Sequence, residues 1–357
     1  MLNLVASLLL GGWLVCFTAA PVVQMQPRSA SPLAWLSSSE AGRSQEPRDL
    51  LSEAKSLAEK NMAADAEPLA RQYLDKHPDS ATGHFLLGYI LFAEIREHPG
   101  TNSQAARLAY TEKIKGAPGD KFTEEKARAS LAEYTEGAKY ATPSASDLKI
   151  VGLDYVLLGA YNDASKWFEK MLQWSSGDAE GWYYLGRTKY NQNRFEDSVR
   201  AFEKSLELEP RNVKTEDNLG LSLLGLGRTG EAMKAFRHAI EWQGPSPKNQ
   251  GPFIDLASAL LDQNLSEEAI PYLRTAIEIS SEDSKSHELL GKAYSRLDRL
   301  PEAREHLEKA VALTPEVASL HCMLAPVYRK LRLADKAEAE FARCSALTAP
   351  QPSTAPN

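Results

Sequence analysis

The sequence predicts an all-α chain: a solenoid of about eight helical hairpins, each stacked on the next. Three observations carry this. Residues 179–212 hold two amphipathic helical patterns closed by Pro210, and the arrangement recurs with a period of 34 residues. The third is composition, since 43% hydrophobic and 25% charged residues suit a chain that buries a core.

In the first half of that unit, Trp182, Leu185, Gly186 and Lys189 fall three and four apart and share one helix face, while Tyr183, Arg187 and Tyr190 share the neighbouring face. In the second half Phe195, Ser198, Phe202, Ser205 and Leu206 form an apolar and small stripe. Pro210 ends it, because proline lacks an N–H and restricts Glu209 before it. Gly186, Ser198 and Ser205 are small where two helices must approach, and Trp182, Leu185 and Phe202 supply bulk where they diverge.

The same pattern places units at 145–178, 179–212, 213–246, 250–283, 284–317 and 318–349. Ahead of them, residues 47–80 offer Ala54, Leu57, Ala66, Ala70, Tyr73 and Pro78 at suitable offsets, with Asn61-Met62-Ala63 as a weak turn signal. A unit at 81–140 opens well with His84, Leu87-Gly88 and Leu91, but its second helix, read as Thr123–Lys139, arrives about 25 residues late. An insertion at about 97–122 explains the delay; within it Gln104–Lys115 reads as a short helix between Pro-Gly breakers, in either a recognition arm or a plain surface excursion. The last helix carries Lys336, Glu338, Glu340 and Arg343, a polar covering expected of a terminal element.

One hairpin alone cannot fold. Ordering the backbone costs roughly 1–2 kcal/mol per residue, and a buried side chain returns only about 1.5–3 kcal/mol. Stacking is therefore required, and residues 47–349 read as one array.

This pattern resembles the tetratricopeptide repeat family. Its W-x-x-L-G-x-x-Y, A-x-x-x-F and terminal Pro signature is met by Trp182, Leu185-Gly186, Phe202 and Pro210, with Lys189 where the Tyr is expected. The resemblance implies a right-handed superhelix whose first helices line a concave face that contacts peptide or protein partners. The face so implied carries Phe85, Tyr89 and Phe92, then Lys149, Leu153 and Val156, then Tyr183, Arg187 and Tyr190, then Asp217, Leu221 and Leu224. Further on it turns polar, with Glu288, Lys292, Ser295, Cys322, Pro326 and Arg329.

Tyr183, Arg187 and Tyr190, flanked by Leu153, Val156, Leu221 and Leu224 and joined by Phe85 and Tyr89, are the candidate protein-binding residues. Aromatic and arginine side chains are the usual interface anchors; the alternative is that the leader or the insertion covers them. Some family members hold a C-terminal carboxylate with a clamp of Lys, Asn and Arg residues. Here only Asn218 agrees, and Asp255 would repel a carboxylate, so that activity is not carried over.

The ends and the remaining chemistry bound the function. Residues 1–20 contain an uncharged apolar run from Leu4 to Ala20 and read as a signal peptide, with an uncleaved anchor as the alternative. Residues 21–46 read as a flexible Ser/Pro-rich leader, and 350–357 as a frayed tail. Phosphate-loop, His-Glu-x-x-His and paired CxxC motifs are absent, so no catalysis, cofactor or metal is expected. His84, His287 and His321 occupy the slot of Trp182, where packing accounts for them. A net charge of −7 without a basic track disfavours nucleic acid. Cys322 and Cys344 fall in the final hairpin, either bridged or simply packed. The reading is an exported, non-catalytic scaffold that docks a peptide segment or protein partner in its groove. A cell-envelope assembly component acting through convex or end surfaces, or an accessory enzyme subunit, are the alternatives, and the oligomeric state stays open.

Overall fold

The computed structural model describes residues 49–98 and 120–349. The expected signal peptide, leader, Gln104–Lys115 helix and 350–357 tail are readings that lie outside the described residues.

Among the described residues the chain is sixteen α-helices without a strand. They pair as α1 (Leu50–Glu59) with α2 (Ala63–Lys76), α3 (Ala81–Glu97) with α4 (Lys121–Gly137), and α5 (Ala145–Leu157) with α6 (Tyr161–Trp174). Next come α7 (Ala179–Asn191) with α8 (Phe195–Leu208), α9 (Val213–Gly225) with α10 (Thr229–Glu241), and α11 (Gly251–Asp262) with α12 (Ser266–Ile279). The array closes with α13 (Ser284–Arg296) and α14 (Leu300–Leu313), then α15 (Ala318–Lys330) and α16 (Ala334–Thr348).

The two kinds of turn differ in chemistry. Most first helices start at a side-chain cap, Asp49, Ser80, Ser144, Asp178, Asn212 or Asp283, whose oxygen accepts a backbone N–H of the first turn. The second helices other than α4 start without one and follow a residue in the left-handed region: Asn61, Gly159, Asn193, Gly227, Asn264, Asp298 or Arg332. Gly, Asn and Asp adopt that conformation at low cost, so the weak signal at Asn61 marks a tight turn of the same kind.

Close approach within a hairpin is set by a glycine under a ring. A Cβ added at Gly152 would stand 2.6 Å from Phe168, and one at Gly186 would stand 2.7 Å from Phe202. The register of the interrupted hairpin follows from its cross-links: His84 meets Glu133 across 49 positions, whereas His321 meets Glu340 across 19. Thirty residues are therefore inserted rather than about 25, and because Asp120 caps α4 through Thr123, that helix starts at Lys121 rather than Thr123.

Two polar ties recur along the array. Trp182 donates its ring N–H to the carbonyl of Ser176, and His84, His287 and His321 place Nε2 against the carbonyls of Pro78, Ser281 and Pro315, each six residues upstream. These histidines are thus packed and hydrogen-bonded in the tryptophan slot. The Tyr slot reaches back twenty residues: Tyr328 donates to Glu308, Arg274 donates to Tyr294, and Lys189 donates to Glu169 at 2.5 Å. Lysine replaces tyrosine at that slot because it can donate to the same place.

The last hairpin resolves one open reading and departs from one expectation. Cys322 and Cys344 form a disulfide with Cα atoms 5.2 Å apart, joining α15 to α16. The polar covering of α16 is incomplete: Glu340 turns inward to His321, and Phe341 is 38% exposed. Its counterparts Phe168, Phe202, Phe236, Leu273 and Leu307 are 0% exposed, because each is covered by a following hairpin that α16 lacks among the described residues.

Candidate protein-binding groove

Each first helix touches the next first helix, from α1 to α15, as well as its hairpin partner, while second helices touch no other second helix. Packing of that kind bends the array toward its first helices, which therefore line the inner side. The side chains of α7 and its neighbours that point away from the second helices form the surface a ligand would meet.

On α7, Tyr183 is half-buried, its ring 5.9 Å from Phe202 and 5.5 Å from Tyr184. The Arg187 guanidinium lies 5.9 Å from the Tyr183 ring, within cation–π reach. Tyr190 meets Phe195 edge-on at 5.5 Å, and burial, then the charge of Asp255, raises its hydroxyl above the ordinary tyrosine range. Asp255 belongs to α11, so the α7 face and the α11 face act on each other across α9.

The flanking residues divide between three apolar clusters. Leu153 is buried and Val156 half-buried in the cluster around Phe168. Leu221 and Leu224 are half-buried against the larger cluster that runs from Val199 to Ala337. Tyr89 packs against the N-terminal cluster of α1 to α3, and Phe85 turns onto its own hairpin partner, 6.0 Å from Tyr134 and over Gly137. Thus Arg187 stands over Tyr183, and Tyr190 follows one turn along the same helix, while Phe85 and Tyr89 belong to a separate part of the array.

The structure supplies the partners of the charged residues on this face. Lys149 of α5 pairs with Asp178 at 2.7 Å and Glu180 at 3.0 Å, which ties it to the start of α7. Asp217 is buried, with Oδ2 3.2 Å from where a Cβ would stand at Gly251, beside the N-terminus of α11, where a carboxylate is favoured. Glu216, in the tryptophan slot, is raised by burial against the pull of His238, 3.1 Å away. Asn218 donates to the carbonyl of Lys214 on its own helix. A signal for Asp217 existed, an acid on the groove face three residues after Lys214, but only packing shows which helix end it faces.

Among the described residues no helix is long and apolar enough to cross a membrane, and no group of three or more His, Cys, Asp and Glu side chains is placed to hold a metal ion.

Comparison with known proteins bears on the fold. Tetratricopeptide repeat profiles match residues 51–120, 179–212, 217–245 and 254–318. Superkiller protein 3 of Saccharomyces cerevisiae is 26% identical over 85 residues, which is 24% of this chain and 6% of that protein's length. The Cut9–Hcn1 hetero-tetramer of the APC/C superposes with a TM-score of 0.54 at 14% identity, covering 85% of this chain and 53% of that one. Pseudomonas aeruginosa pilF superposes with a TM-score of 0.52 at 16% identity, covering 57% of this chain and 91% of that one. At these identities the likeness is one of fold.

Proposed function

The chain belongs to the tetratricopeptide repeat family, and from that premise we propose that it is an exported, non-catalytic scaffold whose concave face docks a peptide segment or protein partner. The patch of Tyr183, Arg187 and Tyr190 carries this reading. Its three side chains are one turn apart on a helix held on both sides by packed hairpins, so a ligand would meet two rings and a planar cation already in place. Such a surface suits an extended or helical peptide with apolar anchors. The disulfide in the last hairpin supports export, since such bonds persist in oxidising compartments.

The test is affinity capture from the native host with the array and with Arg187→Glu, Tyr190→Ala, followed by titration of the captured partner. The double variant should keep its thermal stability and bind that partner about ten- to a hundredfold more weakly, at roughly 1–2 kcal/mol per anchor. Equal affinity with an intact fold would remove this patch as the site.

One observation favours an assembly role as a second reading. Tyr140, Trp174 and Leu208 follow one another at intervals of 34 residues on the outer side, and each is exposed. Partner capture that survives the groove variant and is lost with Trp174→Ala would select it.

A further inference from the structure

We infer that a proton clamps the α3–α4 hairpin to α5: Asp154 sits at their seam as a neutral acid that donates to Ser130, and its ionisation loosens the seam. This goes beyond the scaffold reading and does not depend on it.

Ser130 Oγ is 2.9 Å from the backbone carbonyl of Gly88 and 2.6 Å from Asp154 Oδ2, and all three groups are buried. A serine hydroxyl has one hydrogen, and a backbone carbonyl can only accept. If Asp154 were a carboxylate, one of these two short contacts would join two acceptors. Both are satisfied when Ser130 donates to Gly88 and the Asp154 carboxyl donates to Ser130.

The α8–α9 junction, two along the array, shows the same seam without an acid. Ser198 Oγ is 2.7 Å from the Gly186 carbonyl and 2.8 Å from Ser222 Oγ, and Ser222 stands in the place of Asp154. There the Ser222 hydroxyl is also 2.9 Å from the Asn218 carbonyl, so neutral hydroxyls and backbone make up that seam, whereas at the α4–α5 seam the second partner of Ser130 is an acid. Asp154 is fully buried, and its other oxygen, Oδ1, has no hydrogen-bond partner, an arrangement costly for a charge and tolerable for a neutral acid.

The groups around Asp154 do not supply a counter-charge. Tyr134 of α4 is its titratable neighbour, and Tyr134 in turn faces Asp147 of α5 and Tyr89 of α3, none of them a cation. The charges on the helices packed around the seam are engaged elsewhere: His84 with Glu133, Lys126 with Glu94 and Glu67, and Lys189 of α7 with Glu169 of α6. Burial pushes Asp154 up to about 8, with the Ser130 contact opposing.

The sign follows. The acid is raised in the closed seam and ordinary once exposed, so closure is favoured below the exposed value, near 3.8, and the advantage is lost as pH rises to about 8. Across that range the open fraction should grow about tenfold per pH unit. His84, raised by its pairing with Glu133 against the effect of burial, and Glu94, raised by burial and by Glu67, act in the same direction. The comparison is therefore made with Asp154→Asn at each pH. An asparagine amide can donate to Ser130 as the neutral acid does, and it does not titrate.

Amide hydrogen exchange across α4, corrected for intrinsic rates and read at pH 6, 7 and 8 on the full chain, tests the clamp. The ratio of opening in the native chain to opening in Asp154→Asn should rise about tenfold from pH 6 to 7 and about fivefold from pH 7 to 8, while α13 amides show no such change. A ratio that stays constant with pH overturns the proposal. Should Asp154→Asn fail to fold, the carbon-13 titration of the Asp154 carboxyl in the native chain decides alone: a midpoint near 8 supports the clamp, and one near the ordinary aspartate value refutes it.

Discussion

Gly220→Ala should destabilise the array by up to about 2 kcal/mol, although the same change in an open helix stabilises. Glycine in a helix interior costs about 1 kcal/mol relative to alanine, so propensity alone favours the substitution. At Gly220, however, the new methyl would stand 2.7 Å from Cδ1 and 2.9 Å from Cζ of Phe236, whose ring is fully buried and has nowhere to withdraw. Overpacking of this kind costs roughly 1–3 kcal/mol, which exceeds the propensity gain. The array contains its own control: Ala257 stands in the equivalent place on α11, where the facing residue is Leu273 rather than a ring. Gly220→Ala combined with Phe236→Leu should therefore be less damaging than the two single losses added together, with a coupling of about 1 kcal/mol or more. Gly230→Ala, where a Cβ meets nothing within 4 Å, should be neutral or slightly stabilising. Urea unfolding of the four variants followed by far-ultraviolet circular dichroism measures this. Gly220→Ala as stable as Gly230→Ala would refute the reasoning and the hairpin register with it.

Two further outcomes are expected. Arg332 adopts the left-handed conformation at φ 62°, where glycine is unstrained, so Arg332→Gly should raise the stability of the last hairpin by about 0.5–1 kcal/mol in the same unfolding assay; a loss would mean that the arginine side chain outweighs the backbone cost. Reducing the Cys322–Cys344 bond, which closes a separation of 22 residues, should cost about 3 kcal/mol and release α16, whose only fully buried side chain is Ala337. Limited proteolysis with and without reductant reads it, and unchanged cleavage within Ala334–Thr348 would show that packing alone holds the helix.

The repeat was legible from the chain alone because its determinants are local. Helical spacing of Trp182, Leu185 and Gly186, the Pro210 stop, and Gly, Asn or Asp at the tight turns each act within one hairpin, and a fixed period multiplies them. The patch of Tyr183, Arg187 and Tyr190 could be proposed for the same reason, since three residues one turn apart on a helix share a face wherever the helix lies. Relations between helices far apart in the chain depend on packing across 20 to 50 positions, and no short pattern encodes them. Thus only the tertiary structure shows that Lys189 replaces a tyrosine by reaching Glu169, that the insertion shifts register by thirty residues, and that Cys322 meets Cys344. The same holds for Asp154, which in the sequence is an acid inside an apolar run. Its neutral state arises only where α3, α4 and α5 remove water and leave Ser130 with one hydrogen for two acceptors.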